Sequence, residues 1–265
     1  MSPVLVGRDL HKTFGATPAL RGASIAVDEG EIVAVMGPSG CGKSTLLHCL
    51  AGILRPDAGE VHIAGERIDH LPDARRVLLR RTAFGLIFQF GQLVPELSTV
   101  ENVALPLMLA GLPRRDCRDE ARGWLARVGI SDLADRRPDQ LSGGQGQRVA
   151  LARAMVSGPR VVLADEPTGS LDSVGADQVM ELLVAAAREQ SIAVLVVTHE
   201  PRVAGFADRT VMMRDGIDTR QVTADPQRAA VGAVAPSAGA GEASLRVGVG
   251  EAEASADQIW HRDRR

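Results

Sequence analysis

"EIVAVMGPSGCGKSTLLHCL", Glu31 to Leu50, decides how the rest of the chain is read. Its first part is a nearly unbroken apolar run, as befits a parallel strand covered on both faces. A glycine-rich loop follows, and then helical text begins at Lys43. Gly37 to Ser44 fits G-x-x-x-x-G-K-[ST] in the setting that pattern requires, between a strand and a helix. Gly37, Gly40 and Gly42 let backbone N–H groups wrap a phosphate, with Pro38, Ser39 and Cys41 completing the cradle. Lys43 reaches toward β/γ oxygens, and the Ser44 hydroxyl suits Mg²⁺. Thr45 either adds a phosphate contact or simply starts the helix. Cys41 lies where helix N–H groups lower a thiol's pKa and make it reactive; the alternative is a small, tolerated residue.

Outward from this stretch, strands alternate with helices, which implies an open parallel sheet. Upstream, residues 4–27 read as short strands with turn signals, a small antiparallel β layer. Downstream, "RPDAGEVHIAGERI" carries a further strand, and "GLIFQ" another that ends at Gln89. From about Val100 to Arg136 the text is helical, an all-helical insertion between two halves of the core. The core resumes with "RVVLADE", a long helix from Leu171, the strand "IAVLVVTH" and a last strand in "DRTVMMRDG". The expected architecture is α/β: a phosphate-loop core with a parallel sheet, an N-terminal antiparallel β subdomain and a helical insertion over about 90–140. Residues 1–219 form this unit. Residues 220–265, rich in Ala and Gly without period, read as a disordered tail whose "DQIWHRDRR" end is either frayed or a short contact through Ile259 and Trp260.

Composition narrows the function. The chain has 265 residues, 45% hydrophobic and 24% charged, so a large core can form. Aromatics are 3%, Tyr is absent and the net charge is −3, which argues against base stacking and against a DNA-coating role; no nucleic-acid partner is expected. No apolar run approaches the roughly 18–20 residues that span a bilayer, and no signal layout opens the chain, so a cytoplasmic location is expected. Three scattered cysteines form neither a disulfide framework nor a metal pair.

Two apolar strands deliver chemistry to the edge where open α/β sheets bind ligands. "VVLADE" delivers Asp165, suited to the Mg²⁺ shell, and Glu166, suited to polarising an attacking water. The alternative for this acidic pair is a solvated turn or a helix N-cap. "IAVLVVTH" delivers His199, which could bridge a γ-phosphate and the water-activating carboxylate; a hydrogen-bonded rim histidine is the plainer reading. Gln89 ends its strand similarly, either as a Mg²⁺ or water ligand or as an ordinary polar strand end. A second phosphate cradle then stands in "LSGGQGQRVALARA", Leu141 to Ala154, where free N–H groups open a helix.

Taken in order, "GPSGCGKS", the glutamine after "LIF", "LSGGQ", "LADEP", "SLDS" and "VVTHE" resemble an ATP-binding cassette (ABC) ATPase over about Val4 to Asp218. Finer stretches such as "ENVALPLMLAG" and "DEPTGSLDS" are similar to the stand-alone ATPase subunits of lipoprotein-releasing, macrolide-export and cell-division systems. The resemblance implies ATP and Mg²⁺ as ligands and a head-to-tail homodimer, or a pair with a paralogous subunit. Each ATP then lies between one protomer's glycine loop and the partner's Ser142, Gly143, Gly144 and Gln145. It implies adenine stacking on Phe14, for which a core position is the alternative, and an interface role for Asp172. It implies catalytic roles for Lys43, Gln89, Glu166 and His199, with Ser44, Gln89 and Asp165 around the metal. It also implies an integral membrane permease docking near Gln89 to Pro106, with the chain peripheral on the inner face of the membrane. The function implied is ATP-driven export or extraction of a lipophilic or peptide-like substrate; the alternative is regulation of cell division without transport. Gly146 and Gly91 depart from the family pattern, at positions where a better helix former and a bulkier residue are usual. The basic run Arg75, Arg76, Arg80 and Arg81 is either a partner surface or a solvated helix face.

Overall fold

The computed structural model describes residues 3–89 and 91–223, with side chains described through Ile217. Strands β1 (Leu5–Phe14) and β2 (Thr17–Val27) form an antiparallel hairpin, followed by β3 (Ile32–Met36) and helix α1 (Lys43–Leu50). Next come β4 (Ala58–Ile63), β5 (Glu66–Arg67), α2 (Asp73–Thr82) and β6 (Phe84–Phe88). Helices α3 (Thr99–Leu109), α4 (Arg114–Arg127) and α5 (Gly143–Met155) lead to β7 (Val161–Asp165), α6 (Ser173–Glu189) and β8 (Ala193–Thr198). The short α7 (Pro201–Ala204), β9 (Arg209–Arg214) and β10 (Ile217–Thr223) complete the described chain.

One sheet is antiparallel, in the order β2-β1-β4-β5; the other has the order β10-β9-β3-β8-β7-β6. Within the second sheet β9, β3, β8, β7 and β6 pair in parallel, and β10 pairs antiparallel with β9. The α/β class with an N-terminal antiparallel layer and a parallel core is therefore what the chain adopts. Its last strand runs to Thr223, past the Thr219 boundary read from the sequence. The Ala/Gly-rich stretch, Ile259 and Trp260 lie outside the described residues.

Side-chain alternation explains the unbroken apolar runs. Ile32 and Ala34 of β3, with Val162, Ala164, Val194 and Val196, face a core built with α3 to α6. Val33 and Val35, with Leu163, Leu195 and Val197, face the opposite core shared with α1 and the antiparallel layer. Both faces are thus dry, and each fully buried Val, Leu or Ile contributes about 1.5–3 kcal/mol relative to exposure. The helical insertion joins the first core through Val103, Ala104, Ala121, Trp124 and Leu125, all buried.

Register then sets the functional edge. Met36 pairs with Thr198, Val197 with Asp165, and Asp165 with Phe88. The residues that follow these strand ends, Gly37, His199, Glu166 and Gln89, therefore emerge side by side. The basic run on α2 turns partly inward: Arg76 donates to Gly52 O at 3.2 Å and Arg80 to the same carbonyl at 2.7 Å. These two arginines pin the turn after α1, which corrects their reading as a wholly solvated or partner-facing stripe.

Candidate functional site

The glycine loop is tight because its neighbours leave no room. A Cβ on Gly37 would strike the Met213 carbonyl, and one on Gly42 would strike the carbonyl of Ala19. Gly42 also has φ 102°, a backbone that L side chains rarely adopt. Gly42 N-caps α1 with no side-chain cap, and no acidic residue sits in the first turn. The leading N–H groups of α1 are therefore left for an anion, with the positive helix end behind them. Lys43, buried, folds its amine onto the loop: Nζ donates to Gly37 O at 2.9 Å and Pro38 O at 3.0 Å. Cys41 is buried too, with its thiol beside Gly37, so the reactive-thiol reading gives way to a packed small residue.

Ser44 Oγ donates to Asp165 Oδ1 at 3.1 Å. Burial pushes the Asp165 carboxyl above the usual range, partly offset by that hydrogen bond. A half-buried carboxylate beside a hydroxyl is a donor pair for a hard cation whose remaining ligands come from phosphate and water. No group of three or more His, Cys, Asp or Glu able to hold a metal exists among the described residues. The donor set thus fits Mg²⁺ held jointly with a nucleotide and does not fit a metal caged by protein alone. Gln89, the third residue assigned to the metal, lies with its amide over Gly169, where an added Cβ would come within 2.9 Å of Nε2.

Glu166 stands in the left-handed region at φ 47°, held by its N–H donating to Val197 O at 2.9 Å. Such a backbone costs a non-glycine residue on the order of 1–3 kcal/mol and clusters at functional sites. His199 Nδ1 lies 2.8 Å from Glu166 Oε1, and Thr198 Oγ1 donates to Oε2 at 3.3 Å. The hydrogen bond and charge of Glu166 raise the His199 pKa above its ordinary value. Glu166 caps no helix; Asp172 takes that task for α6, its carboxylate accepting from Gly175 N at 2.7 Å. The cap alternative therefore fails for Glu166, which does open a turn, its carbonyl accepting from Gly169 N at 3.1 Å. Thr198 went unread because a threonine closing an apolar strand carries no signal beyond β propensity.

The second cradle is built differently. Ser142 Oγ accepts from Gln145 N at 3.3 Å while Gln145 Oε1 accepts from Ser142 N at 2.9 Å, a reciprocal cap on α5. Gln145 thereby holds the cap, and the Ser142 hydroxyl hydrogen stays available to a phosphate. A cleft of about 630 Å³ opens here, lined by Ser142, Gly143, Gly144, Leu171, Asp172 and Val174 among others. No residue of the loop 37–45 lines it. Phe14 is 49% exposed at the end of β1, which removes the core alternative.

Gly91 and Gly146, separate departures in the sequence, meet in space. Gly91 has φ 65°, and a Cβ on it would lie 3.4 Å from Gly146 O. Gln147 Nε2 donates to Phe88 O at 3.1 Å, and Arg153 donates to Gly91 O at 2.6 Å and Gln92 O at 2.9 Å. The segment after Gln89 is thus strapped to α5, and glycine at 91 suits the left-handed backbone of that segment, since the space beside it would admit a Cβ.

Residues 20–169 match the family described as ABC transporter. The lipoprotein-releasing system ATP-binding protein LolD of Paramagnetospirillum magneticum is 48% identical over 199 residues, covering 75% of this chain and 88% of that protein. The protein of the same name from Porphyromonas gingivalis is 41% identical, covering 81% and 98%. Among solved structures, the dimeric bacterial ABC transporter cassette MJ0796 matches with TM-score 0.78 and 37% identity, over 83% of this chain and 99% of that one. A dimeric post-hydrolysis state of the same cassette, bound to ADP and Pi, matches with TM-score 0.77 and 35% identity, over 83% and 99%.

Proposed function

The chain belongs to the ABC transporter family and is an ATPase subunit, and from that premise we propose that it powers lipoprotein release through a separate membrane permease. Its closely similar relatives carry the name lipoprotein-releasing system ATP-binding protein, which favours a lipid-modified protein as cargo over cell-division signalling. No described helix is long and apolar enough to cross a membrane; in this reading the chain meets the bilayer through the permease at the inner face. That partner docks along Gln89 to Pro106, where the segment after Gln89 is strapped to α5.

The observation that carries the mechanism is the separation of two phosphate cradles in one chain, one at α1 and one in the α5 cleft. A single chain therefore holds two half-sites. Two chains, head to tail, complete two sites, each with the loop 37–45 of one protomer against Ser142, Gly143 and Gly144 of its partner. Phe14 stacks on adenine. Lys43 turns from the carbonyls of Gly37 and Pro38 to the β/γ oxygens, exchanging neutral acceptors for anionic ones. Ser44, Asp165 and Gln89 would hold Mg²⁺, which would supply positive charge to stabilise the phosphate oxygens. Glu166 accepts the proton of the attacking water as the new P–O bond forms and the β–γ bridge breaks, giving ADP and phosphate. His199 holds Glu166 from one side and the γ-phosphate from the other. Asp172 orders the loop that crosses between protomers. Loss of the γ-phosphate removes the charge that bridges the halves, and the pair separates.

The test is affinity isolation of the tagged chain from detergent-solubilised membranes, followed by ATPase assay with and without a triacylated lipoprotein. An integral membrane protein should accompany the chain, and its ATPase should respond to the lipoprotein. Isolation of a partner without any membrane span would overturn the reading.

A further inference from the structure

The aromatic platform at Phe14 stands on a weak piece of sheet. The β1–β4 ladder ends at His11 paired with Ala58, so Lys12, Thr13 and Phe14 have no strand on that side. On the other side Thr13 lies opposite Pro18, and the register slips between Lys12 and Thr13. Thr13 N–H points away from β2, so the Thr13–Pro18 pair gives the tip no ladder hydrogen bond through that donor. A half-exposed aromatic ring at such a tip would wander unless something else held it.

Asp57, in the turn before β4, replaces the missing strand. Its Oδ2 accepts from Thr13 N at 2.7 Å, and its Oδ1 accepts from Lys12 Nζ at 2.7 Å. Its own N–H donates to His11 O at 2.8 Å. The carboxylate thus grips the backbone one residue before Phe14 and the side chain two residues before it. Lys12 Nζ in turn lies 5.9 Å from the centre of the Phe14 ring, within range of a cation–π contact. The hydrogen bond from Lys12 and that from Thr13 hold the Asp57 pKa below its ordinary value, so the grip persists at neutral pH.

We propose that Asp57 is a positioning residue for nucleotide binding, which holds the β1 tip so that Phe14 presents its face to the base. This rests on the stacking role given to Phe14. It predicts an effect confined to the base end of the ligand: phosphate binding at α1 is built from other elements.

The experiment is calorimetric titration of the full chain with the β,γ-imido analogue of ATP and, separately, with inorganic tripolyphosphate, each with Mg²⁺. Loss of a stacking platform corresponds to about five- to 150-fold in affinity. Freeing the platform without removing it should give about three- to tenfold weaker binding of the analogue for Asp57→Ala, with tripolyphosphate unchanged. Asp57→Asn, which keeps an acceptor for Thr13 N–H, should recover part of the loss. Phe14→Ala should weaken the analogue more, and adding Asp57→Ala to it should change little further, since both act through one ring. Equal weakening of the analogue and tripolyphosphate by Asp57→Ala would mean general damage and overturn the proposal. A loss from Phe14→Ala with none from Asp57→Ala would overturn the anchor and leave stacking intact. No loss from Phe14→Ala would remove the stacking role, and the proposal with it.

Discussion

Gly146→Ala should stabilise the protein. The residue lies inside α5, its N–H donating to Ser142 O at 2.9 Å. A Cβ built on it meets nothing within 4 Å, and its φ is not in the positive range. The substitution therefore adds no clash and no backbone strain; it only narrows the unfolded ensemble and favours the helix. Alanine in place of an interior helical glycine gains about 0.5–1 kcal/mol, less toward the first turn. For a domain of this size that is a rise of about 1–4 °C in melting temperature. In urea, with a slope of roughly 2 kcal/mol per molar, the midpoint should move up by about 0.2–0.5 M while the slope stays constant. The assay is equilibrium urea unfolding of nucleotide-free protein, read by far-UV circular dichroism. A lower midpoint would refute the reasoning, because it would require a close neighbour or a non-helical backbone at position 146.

Other outcomes follow from the site. Because Glu166 raises the His199 pKa, the pair's contribution to stability is fully present below about pH 6.5 and is lost as pH rises through the folded-state value. The melting-temperature difference between wild type and His199→Gln should therefore shrink from pH 6 to about pH 9, and remain small throughout, since the histidine is exposed; a difference that does not change with pH would contradict the pairing. Cys41, Cys49 and Cys117 are all buried, and burial pushes the Cys49 thiol up to about 11. Native protein should react slowly with a disulfide reagent such as Ellman's, and urea should release three thiols. Rapid native labelling of Cys41 would restore the reactive-thiol reading.

Much of the site was legible because it sits at strand ends. Asp165, His199 and Gln89 each close an apolar run, and parallel register carries such ends to one edge; the sequence therefore yields the edge without the pairing order. What stayed hidden depends on distant contacts. That β4 pairs with β1, Leu5 against Ile63, joins segments separated by the whole glycine loop and α1. Gly91 and Gly146 look like independent departures until the turn after β6 is seen against α5. Arg76 and Arg80 carry the pattern of a solvated charged face, yet the Gly52 carbonyl draws both inward. Asp57 reads as an ordinary turn residue in "RPDAGE", because nothing local reports that the β1–β4 ladder stops at His11 and leaves Thr13 N–H without a strand partner.

The central claim is that each chain holds two half-sites and that ATP joins two chains. Sedimentation of Glu166→Gln at micromolar concentration, with and without Mg·ATP, tests it most directly. The variant keeps Lys43, Ser44 and the α5 cleft but lacks the carboxylate that takes the water's proton, so bound ATP persists. The account predicts the mass of one chain without nucleotide, and twice that mass with one ATP retained per chain when Mg·ATP is present. A single-chain mass at saturating Mg·ATP, with nucleotide bound, would contradict it.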